Sequence, residues 1–233
     1  MESVSSSRMV LELVQRCRPA GSQDWLDLSF SRLESPLDHN LFGTAYARAR
    51  RLLGSTPITF DAEEEPALQS SALVTLKGRP LDEVCRLALL LRAMECLPVE
   101  QHANFIHGVY IRGDNYERQA LLRTLTFLPD PERFLATAVE ACRSNAQLIF
   151  EAIVCDNPYP CRYFPEPTFN QMVLKALFIG SPLARVIGLG ERITPELVRM
   201  AQDYASERQA AGRSVPEDIS LIIEVHGGRH EAV

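Results

Sequence analysis

The sequence predicts an all-α protein. The expected architecture is an irregular HEAT-like stack of antiparallel helical hairpins, with a compact irregular helical bundle as the structural alternative. Three observations carry this reading. Helix punctuation is frequent, apolar residues recur at helical spacing between the marks, and no segment reads convincingly as a strand. The chain of 233 residues can bury a substantial core, and 46% apolar with 23% charged is ordinary globular composition.

In chain order the expected helices are 4–17, 22–34, 38–53, 66–76, 81–96, 99–110, 115–127, 131–143, 145–156, 167–179, 183–188, 195–211 and 216–224. Pro80 and Pro98 mark two starts, and Asp114-Asn115 reads as a cap for a third. Asp130-Pro131-Glu132 and Thr194-Pro195-Glu196 each read as N-cap, proline at the first helical position, then an acid near the positive end of the dipole. Pro167 and Pro182 mark two further starts. Helical spacing is clear in Phe134, Leu135, Ala138, Val139 and Cys142. It recurs in Leu148, Ile149, Ala152 and Ile153, and again in Phe169, Met172, Val173, Ala176 and Leu177. Ile58–Phe60 and Leu221–Val225 are the best strand candidates. The first is very short, and the second continues a helical pattern equally well.

Several starts lie about 15 residues apart, as in stacked hairpins, but the residues do not repeat and the tetratricopeptide pattern is absent. Hence the array is expected to be irregular, as a single helical domain over 1–226. Its halves are about 1–128 and 129–226, and 227–233 is a frayed tail. Two segments read as loops. Gly54–Pro66 carries Asp61 and Glu63-Glu64-Glu65 and reads as a mobile, solvated connection. Asn157–Pro167 has four prolines in eleven residues and should be rigid, because proline restricts itself and its predecessor. It also carries Tyr159, Arg162, Tyr163 and Phe164.

Several function classes are excluded. No run approaches the roughly 18 apolar residues of a membrane helix; the densest, Leu87–Leu91, lies between Arg86 and Arg92. Met9–Val14 is interrupted by Glu12, so the start is not a secretory signal. The six cysteines form no CxxC, and four of them lie in apolar helical patterns, which points to reduced structural thiols in a cytoplasmic protein. His102 and His107 are five apart and do not share a helical face, so no metal is expected. Gly188-Leu189-Gly190 lacks a preceding strand and a third glycine, and reads as a helix stop. No Walker, G-x-S-x-G or H-E-x-x-H motif occurs, so neither a cofactor nor a catalytic residue is assigned. The formal charge of −6 argues against a nucleic-acid partner.

The basic residues are lopsided: 22 are arginine and two, Lys77 and Lys175, are lysine. Lys175 is the only polar residue between Met172 and Ile179, on a helix whose apolar girth predicts burial. A buried lysine needs a partner. Gln171 lies one turn earlier on the same face, with Asn170 beside it. In the helix 195–211 the stripe Leu197, Ala201, Tyr204 runs on to Arg208, whose head should meet something specific. Arg199 and Asp203 can pair across one turn. Two readings compete. In one, Lys175 and Arg208 pair with Glu207, Asp203 or carbonyls and lock the loop to the helices. In the other, residues of this corner line a pocket for a small anionic or polar metabolite. An imine-forming Lys175 is a further option, without an accompanying electrophile-stabilising motif. The ligand- or partner-binding candidates are Asn157, Tyr159, Arg162, Tyr163, Asn170, Gln171, Lys175, Tyr204 and Arg208.

The run Asn157-Pro-Tyr-Pro-Cys-Arg-Tyr-Phe-Pro-Glu-Pro-Thr-Phe-Asn-Gln-Met-Val-Leu-Lys-Ala-Leu-Phe-Ile-Gly180 resembles the signature region of the EboA family. This family belongs to the ebo gene cluster of bacteria and some algal plastids. The stretch Asp203-Tyr-Ala-Ser-Glu-Arg-Gln-Ala-Ala-Gly-Arg-Ser-Val-Pro216 is similar to the family's C-terminal pattern. The close resemblance covers about 150–216. The N-terminal half is similar in helical layout and in pieces such as Ala49-Arg-Arg-Leu-Leu-Gly54. Cys161 stands where a small residue is expected. The resemblance implies metabolite traffic: helping move or mature a secondary-metabolite precursor across the inner membrane. It implies as partners other ebo-cluster proteins, among them a prenyltransferase-like membrane protein, and it transfers no catalytic residue. The function expected is therefore a non-catalytic cytoplasmic helical adaptor or binding protein. A small-molecule enzyme or carrier with a pocket at the 157–175 corner is the alternative.

Overall fold

A computed structural model describes residues 6–59 and 76–223. The expected helix 66–76 falls almost wholly outside these residues. The acidic run at 63–65 and the tail 227–233 also lie outside them. The fold is all-α. Among the described residues there is no strand, and the one β-bridge is isolated, between Pro57 and Pro80. Ile58, the first residue of one of the two strand candidates, donates to the Arg79 carbonyl and accepts from Gly78. Together with Leu81 N–H to the Thr56 carbonyl, this clasp is too short to count as a strand.

The chain divides into two compact units, Met1–Thr137 and Ala138–Val233. The first contains α1 (Ser6–Cys17), α2 (Gln23–Ser31), α3 (His39–Leu53), α4 (Leu81–Glu95), α5 (His102–Arg112) and α6 (Asn115–Thr124). Its centre is α4, which packs against α1, α3 and α6. Every α4 residue except Arg92 and Glu95 is buried, including Asp82, Glu83 and Arg86. Neighbouring helices supply matching stripes. On α3 this is Phe42, Ala45, Tyr46, Ala49 and Leu53, at helical spacing. The helix begins where the Asp38 carboxylate accepts from the Asn40 and Leu41 N–H groups, and it stops at Gly54, whose φ is 71°. Asp114 and Glu117 form a reciprocal capping box at the start of α6.

A helix, α7 (Leu135–Cys142), runs across the division between the units. The sequence predicts it from 131 with Asp130 as cap. Instead Asp130 is left-handed, with φ 48°, and caps nothing; its carboxylate takes Arg133. Pro131–Phe134 is therefore a 3₁₀ turn, and the α-helix starts only at Leu135.

The second unit continues with α8 (Gln147–Val154), α9 (Tyr159–Tyr163), α10 (Glu166–Ile179) and α11 (Pro195–Ala210). Thr194 caps α11 through the Leu197 N–H, as its sequence predicts. The segment 157–167 is not a plain loop, since it contains the whole of α9. The expected helix 183–188 reduces to a 3₁₀ turn, Leu183–Arg185, and a second such turn, Leu189–Glu191, follows Gly188. The left-handed Gly188, with φ 73°, interrupts the helical backbone between the two turns. Glu217–Ile219 is also 3₁₀ and passes into helix through 223.

Candidate functional site

The segment that ends α8 is held by its own side chains. Asp156 is left-handed, with φ 53°. Asn157 is buried. Its Nδ2 donates to the Ala152 carbonyl at 2.9 Å, and its Oδ1 accepts from the Tyr159 N–H at 3.0 Å. Thus Asn157 both satisfies a carbonyl of α8 and starts α9. Tyr159 is fully buried, with its ring 4.8 Å from Tyr163 and edge-on to Phe164 at 6.2 Å. Asn157, Tyr159 and Tyr163 therefore form one cluster.

A short helix between prolines ends with carbonyls that no following turn can reach. Arg192 supplies the donors. Its guanidinium bonds the Cys161 carbonyl and, at 2.8 Å, the Phe164 carbonyl, and it lies 4.6 Å from the centre of the Phe169 ring. Glu166, in the first turn of α10, accepts from the Thr194 hydroxyl at 2.9 Å and ties α10 to the start of α11. Cys161 presses on Gly188: a Cβ there would lie 2.2 Å from its Sγ, and φ is 73°. Only glycine fits that position for both reasons.

Lys175 meets backbone. Its ammonium donates at 2.7 Å to each of the Cys142 and Ser144 carbonyls, and it lies 4.9 Å from the Phe150 ring centre. It thereby caps the C-terminal end of α7, where a cation suits the helix dipole. Arg208 likewise donates to the Ser214 carbonyl at 2.6 Å and to the Tyr204 hydroxyl at 3.3 Å. These are the carbonyl partners that one of the two sequence readings allowed. Arg199 bonds both Glu196 and Asp203. We expect Lys175→Met to lower the unfolding free energy by about 2 kcal/mol, the scale of charged hydrogen bonds lost from part-buried carbonyls. Urea unfolding measures this directly, and an unchanged midpoint would show that water replaces the ammonium without cost.

The remaining candidates are spread out. Arg162 and Gln171 are exposed, and their side chains make no hydrogen bond or ion pair among the described residues. Asn170 is 1% exposed, and its Oδ1 has no partner among the described residues. Phe178 is 69% exposed, although the apolar girth of this helix predicts burial. One cavity of about 400 Å³ lies in this unit, lined by Leu183, Val186, Leu189, Glu191 and Leu221 among others, and by none of the nine candidates. Among the described residues no cluster of three or more His, Cys, Asp or Glu is positioned to hold a metal.

Burial governs the thiols. All six cysteines are free. Burial pushes Cys142 up to about 12, against a smaller opposing effect from the Lys175 charge, and it pushes Cys85 to about 12 as well. At about pH 8, iodoacetamide should label the half-exposed Cys17 and Cys161 and leave Cys85 and Cys142 intact, as mass spectrometry would read. The sign of the pH effect follows. Above the ordinary thiol value of 9.0 the unfolded chain releases protons that the folded chain keeps. Stability from these two groups is therefore full below that value and falls as pH rises from it towards about 12.

Sequence reasoning missed Arg192. Nothing in Gly190-Glu191-Arg192 marks it among so many arginines, and only the fold brings residues about 30 apart together. The one available signal was indirect: a short helix closed by prolines needs an outside donor for its carbonyls. A family model described as metabolite traffic protein EboA matches residues 7–224 of the chain. No curated protein and no solved structure matches it.

Proposed function

Because the chain belongs to the EboA family of metabolite traffic proteins, we propose that it is a non-catalytic, cytoplasmic helical adaptor. In this reading it assists export or maturation of a secondary-metabolite precursor by holding another ebo-cluster protein, the prenyltransferase-like membrane protein first. The observation that carries the reading is how the stretch 150–216 uses its cations. Arg192, Lys175 and Arg208 all bond backbone carbonyls: Arg192 closes the 159–165 segment, Lys175 the end of α7 and Arg208 the end of α11. Arg162, Gln171 and the apolar Phe178 stay outward, as side chains offered to a partner do. Among the described residues no helix is long and apolar enough to cross a membrane, so the proposed contact with the membrane protein is made at a surface.

Affinity capture with the tagged full chain tests the reading. The detergent-solubilised membrane protein should be retained, and Phe178→Asp with Arg162→Ala should release it. Retention of neither this partner nor any cluster metabolite would overturn it. A second reading, a carrier or enzyme with its ligand at the 157–175 corner, is favoured by one observation. The buried Asn170 Oδ1 is left without a donor, and such a group in a native protein calls for a partner. In that case Asn170→Leu abolishes metabolite retention while capture of the membrane protein survives.

A further inference from the structure

The first unit contains a cleft lined by none of the signature residues. It lies where the start of α3 faces α5 and has a volume of about 600 Å³, within the range of small-molecule sites. A second lobe of about 460 Å³ shares His39, Asn40 and Arg112 with it. The floor is apolar. Phe105 is only 6% exposed and edge-on to Phe42 at 5.0 Å, and Phe42 in turn stacks on Tyr46 at 5.4 Å. The exposed His39 ring stands 5.9 Å from Phe105 and forms one wall.

The rim is polar and unspent. Asn40, Gln101, Asn104 and Arg112 all line the cleft, and their side chains make no hydrogen bond or ion pair among the described residues. Other exposed arginines, Arg162 among them, also make no side-chain hydrogen bond or ion pair among the described residues; Arg112 differs in lining a cavity with an apolar floor. No carboxylate lines the larger lobe, in a chain with 30 acids. Asp38 is close in sequence, but its carboxylate is engaged by the N–H groups at the start of α3. Glu117 lines only the smaller lobe, where it accepts from the Asp114 N–H.

Gly108 explains how Arg112 is held there. A Cβ at this position would lie 3.2 Å from both terminal nitrogens of the Arg112 guanidinium. The side chain therefore lies back across the helix at the one place without a side chain beneath it. A helix-interior glycine is destabilising relative to alanine, and here it accompanies a guanidinium laid over the cleft.

We propose that this cleft binds a small carboxylate-bearing metabolite with a flat, apolar body. The guanidinium takes the carboxylate through two parallel N–H donors. The carboxamides of Asn104 and Gln101 take further polar substituents, and the ring system lies against Phe105 and His39. A phosphate dianion is a poorer match, because the single guanidinium on the rim leaves part of its charge uncompensated. The proposal rests on the family reading only in taking a small metabolite as cargo. Partner capture reports on the adaptor role, and the cleft is tested without any partner.

The test uses the isotope-labelled full chain titrated with β-naphthoate, β-naphthamide and β-naphthyl phosphate. The expected result is saturable naphthoate binding with a Kd below about 1 mM, shifting the amide signals of Asn104, Gly108 and Arg112. The neutral amide, and the Arg112→Gln variant with naphthoate, should each bind about tenfold more weakly, which is ~1.4 kcal/mol. Gly108→Leu should abolish binding while the melting temperature holds, since leucine favours the helix but fills the cleft. The proposal is overturned by an absence of shifts in the cleft, by equal binding of acid and amide, or by indifference to Arg112→Gln. Tighter binding of the phosphate ester than of the carboxylate also overturns it.

Discussion

Arg86→Met lowers the unfolding free energy by about 3–5 kcal/mol, the largest single-residue loss expected in this protein. Arg86 is 1% exposed at the centre of the first unit. Its Nη1 is 2.6 Å from the equally buried Asp82 carboxylate, and its Nε donates to the Tyr46 carbonyl at 3.0 Å. Methionine keeps the length and the packing but removes the charge, so a carboxylate is stranded where water cannot reach it. The half-exposed Arg50, 3.9 Å from Asp82, compensates only in part. Asp82 Oδ1 and Glu83 Oε2 already have no partner among the described residues, which leaves the site no slack. The double variant Asp82→Leu, Arg86→Met should recover to within about 1 kcal/mol of the parent, because removing both charges also removes the desolvation cost. Urea unfolding of the two variants checks this. A double variant as unstable as the single one would show that the cost lies in packing.

Arg192→Leu is the second large effect, a loss of about 3 kcal/mol. Two carbonyls, at Cys161 and Phe164, lose a charged donor, and the Phe169 ring loses its cation. Its local signature should be stronger than its global one. Amide hydrogen exchange over 159–165 should rise by orders of magnitude while α4 stays protected, since the two lie in different compact units. Arg192→Lys should restore only part of the loss, because one ammonium does not span two carbonyls as the planar fork does. An exchange profile unchanged by Arg192→Leu would mean that the prolines alone hold the segment. The same variant bears on function. If the signature corner must be rigid to meet its partner, Arg192→Leu weakens capture without touching an exposed side chain.

Much of the fold was legible because its signals are local. The cap at Thr194, the capping box opened by Asp114 and the proline-marked start of α4 are readable within four residues of chain. The failures are also physical. Asp130 carries the right residue type for a cap, but its left-handed backbone turns the carboxylate towards Arg133. At 183–188 the pattern was apolar and helical, yet the left-handed Gly188 interrupts it between two 3₁₀ turns. Lys175 was conspicuous as one of two lysines, and its need for a partner followed from its apolar helix. Which partner it took was not readable, because Cys142 and Ser144 offer only backbone carbonyls, and every residue has one.

By itself the sequence determined that this chain is all-α, where most helices begin, and which family it belongs to. Those properties rest on short-range periodicity, on caps and on a contiguous motif. The tertiary structure decided which charges are spent and which are open. Asp82 and Arg86 pair inside a helix that is buried almost all round, Arg192 closes a segment about 30 residues away, and Arg112 lies across Gly108 at the polar rim of the cleft. Whether a charge is buried, paired or free depends on what other helices bring to it, and one-dimensional spacing carries no record of that.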